Sequence, residues 1–269
     1  MTHQPVAIVT GAAQGIGAAI VRRLQRDGYA VAAVDCNGPK LDELCCGLPS
    51  AAAPVMPIAG DLADPAAPES VTQQATARFG RIDLLVNNAA WRETATMDEI
   101  TLHSWQRTLQ VCLTGPAFLA RAVARHMKIA ARGVIINVGS IMAQQAAGFA
   151  PAYVAAKGAL ESLTYDLAAL YGPHGIRVVT VSPGAIDTSL SADLAPPHVS
   201  ASDQLRRYAE GMAMAGRLGA PEEVASLVAW LASDEASYLT GTTITFDGGW
   251  SRHHLPTPLA AAIAEAPRS

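Results

Sequence analysis

Short apolar runs alternate with longer helical segments from one end of this chain to the other, and that alternation restricts the fold more than any other feature. The runs are VAIVTG (6–11), AVAAVD (30–35), PVMPIAGD (54–61), IDLLVNNAA (82–90), GVIINVGS (133–140), IRVVTVSPG (176–184) and TITFDGG (243–249). Nearly all are continuously apolar, as strands covered on both faces must be; a half-solvated sheet would alternate polar and apolar residues. Helical patterns fall near 15–27, 64–79, 98–127, 152–171 and 221–233, each with Gly, Pro or Asp near an end. The alternation predicts an α/β fold built on a doubly wound parallel sheet. With 269 residues, 50% of them hydrophobic and 16% charged, one domain is expected. It is placed at 1–250 and followed by a tail, 251–269. The stretch 188–219 has no obvious strand and follows the sixth run at its carboxyl end, where such sheets bind ligands, so it is expected to act as a substrate lid.

A formal net charge of −4 leaves no basic field to hold nucleic acid or an anionic membrane surface. No stretch is long and apolar enough to span a bilayer, and the start, MTHQPVAIVTG, has no charged leader or cleavage site. Cysteines 36, 45, 46 and 112 form no C-x-x-C pair and no zinc-like spacing with histidine, so no metal is expected. His253 and His254 read as solvated tail residues. A protein of the reducing cytoplasm, handling small molecules, fits these features.

TGAAQGIG (10–17) joins the first run to the first helix. Gly11 permits a tight turn, Gly15 allows a ligand close to the backbone, and Gly17 lets helix and strand pack closely. The helix N-terminus behind them suits a pyrophosphate. Asp35 ends the second run, the position from which a carboxylate accepts hydrogen bonds from the adenosine ribose. Its charge opposes a 2′-phosphate, and Cys36 and Asn37 bring no cation, so NAD is expected rather than NADP. Arg22 and Arg23 read as surface charges.

YVAAK sets Tyr153 and Lys157 on one helical face. A phenol is a poor acid or base at neutral pH unless a cation stabilises its anion, and a lysine one turn away supplies that cation. Ser140 closes the fifth run just before this helix and can donate a hydrogen bond to an oxygen that develops charge during hydride transfer.

Taken together, TGAAQGIG, NNAA (87–90), Ser140, YVAAK, SPGAIDT (182–188) and FDGG (246–249) resemble, in order and spacing, the short single-domain branch of the short-chain dehydrogenase/reductase family. The resemblance implies a Rossmann fold and hydride transfer between a secondary alcohol and NAD. It makes Tyr153 the general acid/base, Lys157 its support and a ribose ligand, and Ser140 the group that orients the substrate. It also implies cofactor contacts from Gly11, Gln14, Gly15, Ile16, Gly17, Asp35, Asp61, Leu62, Asn87, Tyr153, Lys157 and Ile186, and a homotetramer or dimer. Ala90 stands where the family usually has glycine.

VCLTG (111–115) departs further, since the family usually carries asparagine where this chain has Cys112. That asparagine marks a helix distortion whose main-chain carbonyl holds a water in a proton relay. Cysteine keeps the carbonyl and loses the amide. Two readings follow: an active enzyme with a weakened relay, or an impaired NAD-binding or scaffold protein. A nucleophilic thiol is disfavoured because no histidine is evidently placed to activate it. Trp91, Arg92, Gln144, Gln145 and Phe149 are expected near the pocket mouth. Arg92 and the glutamines suggest a sugar, polyol or hydroxy acid; solvated surface side chains are the alternative.

Overall fold

The strands are continuously apolar because each residue lands in one of two cores. In β1 (Val6–Thr10), Ala7 and Val9 join the core on one face of the sheet while Ile8 joins the core on the other. The same holds for β2 (Ala30–Asp35), where Val31 and Ala33 face one way and Ala32 and Val34 the other. With β3 (Val55–Ala59), β4 (Leu84–Asn87), β5 (Gly133–Val138), β6 (Ile176–Pro183) and β7 (Thr242–Phe246), they form a seven-stranded sheet in the order β3-β2-β1-β4-β5-β6-β7. Every pairing in it is parallel. This computed structural model describes residues 3–49, 51–145, 148–188 and 209–253. Most of the expected lid and tail therefore lies outside the described residues, as does His254.

Helices α1 (Gly15–Arg26), α2 (Gly38–Cys46) and α7 (Pro221–Ala232) cover the first core. On the opposite face, α3 (Ala67–Phe79), α5 (Gly115–Ala130) and α6 (Pro151–Tyr171) cover the second. The result is a single doubly wound domain. Among the described residues no helix is long and apolar enough to cross a membrane.

Two departures from the sequence expectations have clear physical causes. Helix α2 lies outside the helical patterns expected from the sequence. In the fold Asn37 caps it, its Oδ1 accepting from Lys40 N at 3.2 Å, and a proline in the first turn gives up only an N–H that would be unpaired anyway. The helix expected over 98–127 begins instead at α4 (Leu102–Leu109), where Thr101 Oγ1 accepts from Ser104 N at 3.1 Å. Between α4 and α5 the chain is a π-helix, Gln110–Thr114, with Cys112 at its centre. Gly115 N–H reaches back five residues to the Gln110 carbonyl instead of four. Pro116 has no N–H to return to the Cys112 carbonyl at the ordinary helical spacing, so the sequence CLTGP itself disfavours a regular α-helix here.

Candidate active site

Strand order reverses between β1 and β4, and ligands of such sheets bind in the crevice beyond the carboxyl ends at that point. The glycine-rich turn lies there. Gly11 has φ +63°, and a Cβ on it would come within 2.8 Å of Ala89 Cα. A Cβ on Gly17 would collide with the Gly11 carbonyl oxygen. Gly15, at φ +54°, would meet only Thr188, with Cγ2 at 3.2 Å. The loop and Thr188 thus approach closely here, with little room for a side chain at position 15. Asn88 holds the turn: its Nδ2 donates to the carbonyls of Thr10 (2.9 Å) and Gly11 (3.0 Å). The amides of Asn88 and Ala89 both donate to Thr10 Oγ1, at 3.0 and 3.1 Å.

Asp35 is fixed by two backbone amides, Oδ2 accepting from Ala13 N at 3.0 Å and Oδ1 from Asn37 N at 2.8 Å. Gln14, the residue before α1, accepts from Lys40 Nζ at 3.0 Å, so a cation does stand near the turn, four residues beyond Cys36. Asp61 accepts from Ala63 N at 2.9 Å and from Arg107 Nη2 at 3.1 Å. Leu62 and Ile186 are buried, and Ile186 bridges to Gly219. Ile16 packs on the first core. The Asn87 side chain is held within the sheet, donating to Asn137 Oδ1 at 2.9 Å. Asn137 donates in turn to Thr164 Oγ1, also at 2.9 Å.

Lys157, Tyr153 and Ser140, the expected catalytic residues, lie near the end of β5. Lys157 Nζ is buried, donates to the Val138 carbonyl at 2.6 Å, and lies 5.5 Å from the centroid of the Tyr153 ring. Two residues past Val138, Ser140 Oγ accepts from Met142 N at 3.2 Å and caps the short turn Ile141–Ala143. Arg92 carries its guanidinium carbon 5.5 Å from the same tyrosine centroid, with Nη1 3.9 Å from Met142 Sδ. Trp91 lies under the guanidinium of Arg107, 5.3 Å from its ring centroid. The two glutamine amides are engaged elsewhere: Gln144 Nε2 donates to Glu161 Oε2 at 3.3 Å, and Gln145 Nε2 to the Ser251 carbonyl at 2.7 Å. Glu161 also accepts from Ser182 Oγ at 2.6 Å. His253 Nδ1 lies 2.8 Å from the Met212 carbonyl, and no cluster able to hold a metal occurs among the described residues.

Cys112 is fully buried. Its Sγ lies 3.4 Å from both the amide nitrogen and the carbonyl oxygen of Trp91, accepting from one and donating to the other. Burial pushes the thiol above its ordinary range, against the weaker opposing pull of Lys157 and Arg92. The sulfur is a structural hydrogen-bonding group and not an activated thiolate.

Residues 11–251 match a family model described as enoyl-(acyl carrier protein) reductase. A solved short-chain type dehydrogenase/reductase from Mycobacterium marinum superposes with a TM-score of 0.84 at 30% identity, over 93% of this chain and 96% of that one. The chain belongs to the short-chain dehydrogenase/reductase family. Within the family it is 38% identical over 247 residues to a cis-4-hydroxycyclohexanecarboxylate dehydrogenase of Sinomonas cyclohexanicum, covering 91% of this chain and 96% of that protein. It is 35% identical over 246 residues to a D-threitol dehydrogenase of Mycolicibacterium smegmatis, covering 91% and 92%. As a short-chain dehydrogenase/reductase the chain is an oxidoreductase acting on CH–OH groups with a nicotinamide cofactor.

Sequence reasoning did not identify Asn88, Thr10 and Asn137 as supports of the site. The second asparagine of NNAA was in view, but its task is visible only once β4 lies beside β1. Lys40, beyond the positions next to Asp35, reaches the turn only because α2 folds back to bring it to Gln14.

Proposed function

We propose that this protein is an NAD-dependent dehydrogenase that interconverts a secondary alcohol and a ketone on a small hydroxylated or anionic substrate, such as a sugar, polyol or hydroxy acid. The observation that carries this reading is the convergence of Tyr153, Lys157 and Ser140 at the end of β5. When bound, NAD supplies the hydride acceptor. As a hydride leaves the carbinol carbon with its electron pair, Tyr153 Oη takes the hydroxyl proton; in reduction it returns it. Positioned acid/base catalysis of this kind contributes roughly 10²–10⁴-fold. Lys157 stabilises the phenolate, and beyond its bond to Val138 its ammonium has N–H groups to offer the nicotinamide ribose. Because Met142 N–H donates to Ser140 Oγ, the serine's own proton is left to point at the substrate oxygen. The Cys112 carbonyl, with Pro116 unable to bond it at the helical spacing, is the group that would hold the relay water.

The preference for NAD rests on the fixed carboxylate of Asp35 at the end of β2. NAD in turn favours alcohol oxidation where the cellular pool is mostly oxidised. A homotetramer in the cytoplasm completes the reading, supported by exposed Phe118 on α5 and by exposed Tyr165 and Leu170 on α6.

Cys112 favours a second reading, a non-catalytic NAD-binding or scaffold protein. An NADH-absorbance screen over sugars, polyols, hydroxy acids and alicyclic alcohols separates the two, with Tyr153→Phe as control. Turnover that disappears in the control supports the dehydrogenase. Turnover that survives in it sinks the mechanism, and tight NADH binding with no turnover supports the scaffold.

A further inference from the structure

We propose that Glu161 is a positioning residue for hydride transfer: its buried carboxyl group grips both flanks of Ser140 and so sets the serine hydroxyl against Tyr153. The proposal rests on the dehydrogenase reading above and adds to it a residue that acts on the reaction through Ser140.

Burying a carboxyl group costs stability unless its oxygens are hydrogen-bonded. Both oxygens of Glu161 are: Oε1 accepts from Ser182 Oγ at 2.6 Å and Oε2 from Gln144 Nε2 at 3.3 Å. Each partner adjoins the catalytic serine from a different side. Ser182 lies on β6, next to Val181, whose carbonyl accepts from Gly139 N at 2.7 Å. A Cβ on Gly139 would come within 2.5 Å of the Ser182 hydroxyl oxygen. The hydroxyl that Glu161 holds therefore packs against the residue just before Ser140. Gln144 closes the turn just after it. Ala143 N donates to the Ser140 carbonyl and Gln144 N to the Ile141 carbonyl, both at 3.0 Å, while Ser140 Oγ accepts from Met142 N. Residues 140–144 are thus one hydrogen-bonded turn, and holding the Gln144 amide holds the far end of the unit that begins with Ser140.

The helix that carries Glu161 also carries the other half of the chemistry. Tyr153, Lys157 and Glu161 follow one another at intervals of four along α6, so all three share one face, and all three are buried. A single helix face therefore holds the phenol, its lysine and the group that fixes Ser140. The separation of serine and phenol is set by that one element. A leucine at 161 would fill similar space, yet it would leave the Ser182 hydroxyl and the Gln144 amide without their acceptor and release both flanks of the serine. Misplacing a reacting group by about 1 Å costs on the order of 10²-fold in rate, so a small release is enough to slow the reaction.

The test uses whichever sugar, polyol, hydroxy acid or alicyclic alcohol is turned over fastest in the NADH-absorbance screen, and reads kcat, kcat/KM, NADH affinity and melting temperature. Glu161→Leu should lower kcat and kcat/KM together by roughly 10- to 100-fold, and by no more than Ser140→Ala does, with NADH affinity unchanged. Glu161→Gln keeps an acceptor for one partner and an amide for the other, and should recover most of the loss. In the Ser140→Ala background Glu161→Leu should cost little more, because the group it positions is gone. A merely structural role would multiply the two losses. That outcome overturns the proposal, as does unaltered turnover in a folded Glu161→Leu protein or a Glu161→Gln protein as slow as Glu161→Leu. Should Glu161→Leu fail to fold, Gln144→Met, at an exposed position, decides in its place. A loss of turnover that vanishes in the Ser140→Ala background supports the proposal, and unaltered turnover or a loss that persists there overturns it. Each overturning result leaves the dehydrogenase reading standing, whereas failure to reduce NAD with any alcohol defeats both.

Discussion

Cys112 Sγ sits 3.4 Å from both the amide nitrogen and the carbonyl oxygen of Trp91, clasping the π-helix to the segment that carries Arg92. A thiol can do this because it is at once a weak donor and a weak acceptor. Cys112→Ala removes both bonds, together worth on the order of 1 kcal/mol, and KM for the alcohol should rise about fivefold. Cys112→Asn restores stronger partners and should raise turnover and change its dependence on pH. A pH profile identical in all three proteins would leave position 112 with packing alone.

The same burial makes Cys112 inert. Iodoacetamide should modify exposed Cys36 and Cys46 in the native protein and reach Cys112 only after unfolding, as peptide mass spectrometry would read. Since the folded state holds the Cys112 proton more tightly than the unfolded chain, its contribution is complete below the ordinary thiol range and is lost as pH rises through and above it. Melting temperature should fall less between pH 7 and pH 10 in Cys112→Ala.

Asp35 is held by two backbone amides with Lys40 nearby on Gln14. Replacing the carboxylate by Asp35→Ser removes the repulsion against a 2′-phosphate and leaves the cation. The ratio of kcat/KM for NAD to that for NADP should drop by at least ~10-fold, the equivalent of 1.4 kcal/mol. Adding Lys40→Ala should recover part of it. No change in the ratio would remove Asp35 from cofactor choice.

Gly17 and Gly28 provide a matched pair. An alanine methyl at 17 would strike the Gly11 carbonyl and approach Asn88 Nδ2 to 2.7 Å, so the turn must open. Gly17→Ala should weaken NADH binding more than ~10-fold in a fluorescence titration, with 1–3 kcal/mol of overpacking as the cause. At Gly28, with φ +92° and nothing within 4 Å, an alanine meets only backbone strain. Stability should fall by about 1 kcal/mol there while NADH affinity holds.

Glu223 accepts both Nη atoms of Arg217, at 2.8 and 2.7 Å, and Ala220 N at 2.8 Å, closing the first turn of α7. These bonds hold its carboxyl down to about 2. A depressed carboxyl stabilises the fold above its unfolded value near ~4.3 and loses that contribution as pH falls toward about 2. The pair is solvent-exposed and screened, so Glu223→Gln should cost under ~1 kcal/mol at pH 7 and distinctly less at pH 2, by urea denaturation. An equal cost at both pH values would assign the effect to the cap's geometry instead of its charge.

How far the fold was legible follows from which forces act locally. Continuous apolar runs determined the parallel, doubly covered sheet, because a strand buried on both faces admits no polar alternation. Helical spacing determined that Tyr153 and Lys157 share a face, and the glycine positions determined a tight turn at the end of β1. Even the π-helix had a local signal in Pro116, four residues after Cys112. Other features were decided only when distant segments met. Asn88 reaches Thr10 across 78 residues, Cys112 reaches Trp91 across 21, and Gln145 reaches Ser251 across 106. Spacing along a chain predicts neighbours only within one element. Whether an amide faces substrate or a backbone carbonyl depends on where the strands stop and which loop packs beside them, and so tertiary structure alone set Arg92 over Tyr153 and occupied both glutamines.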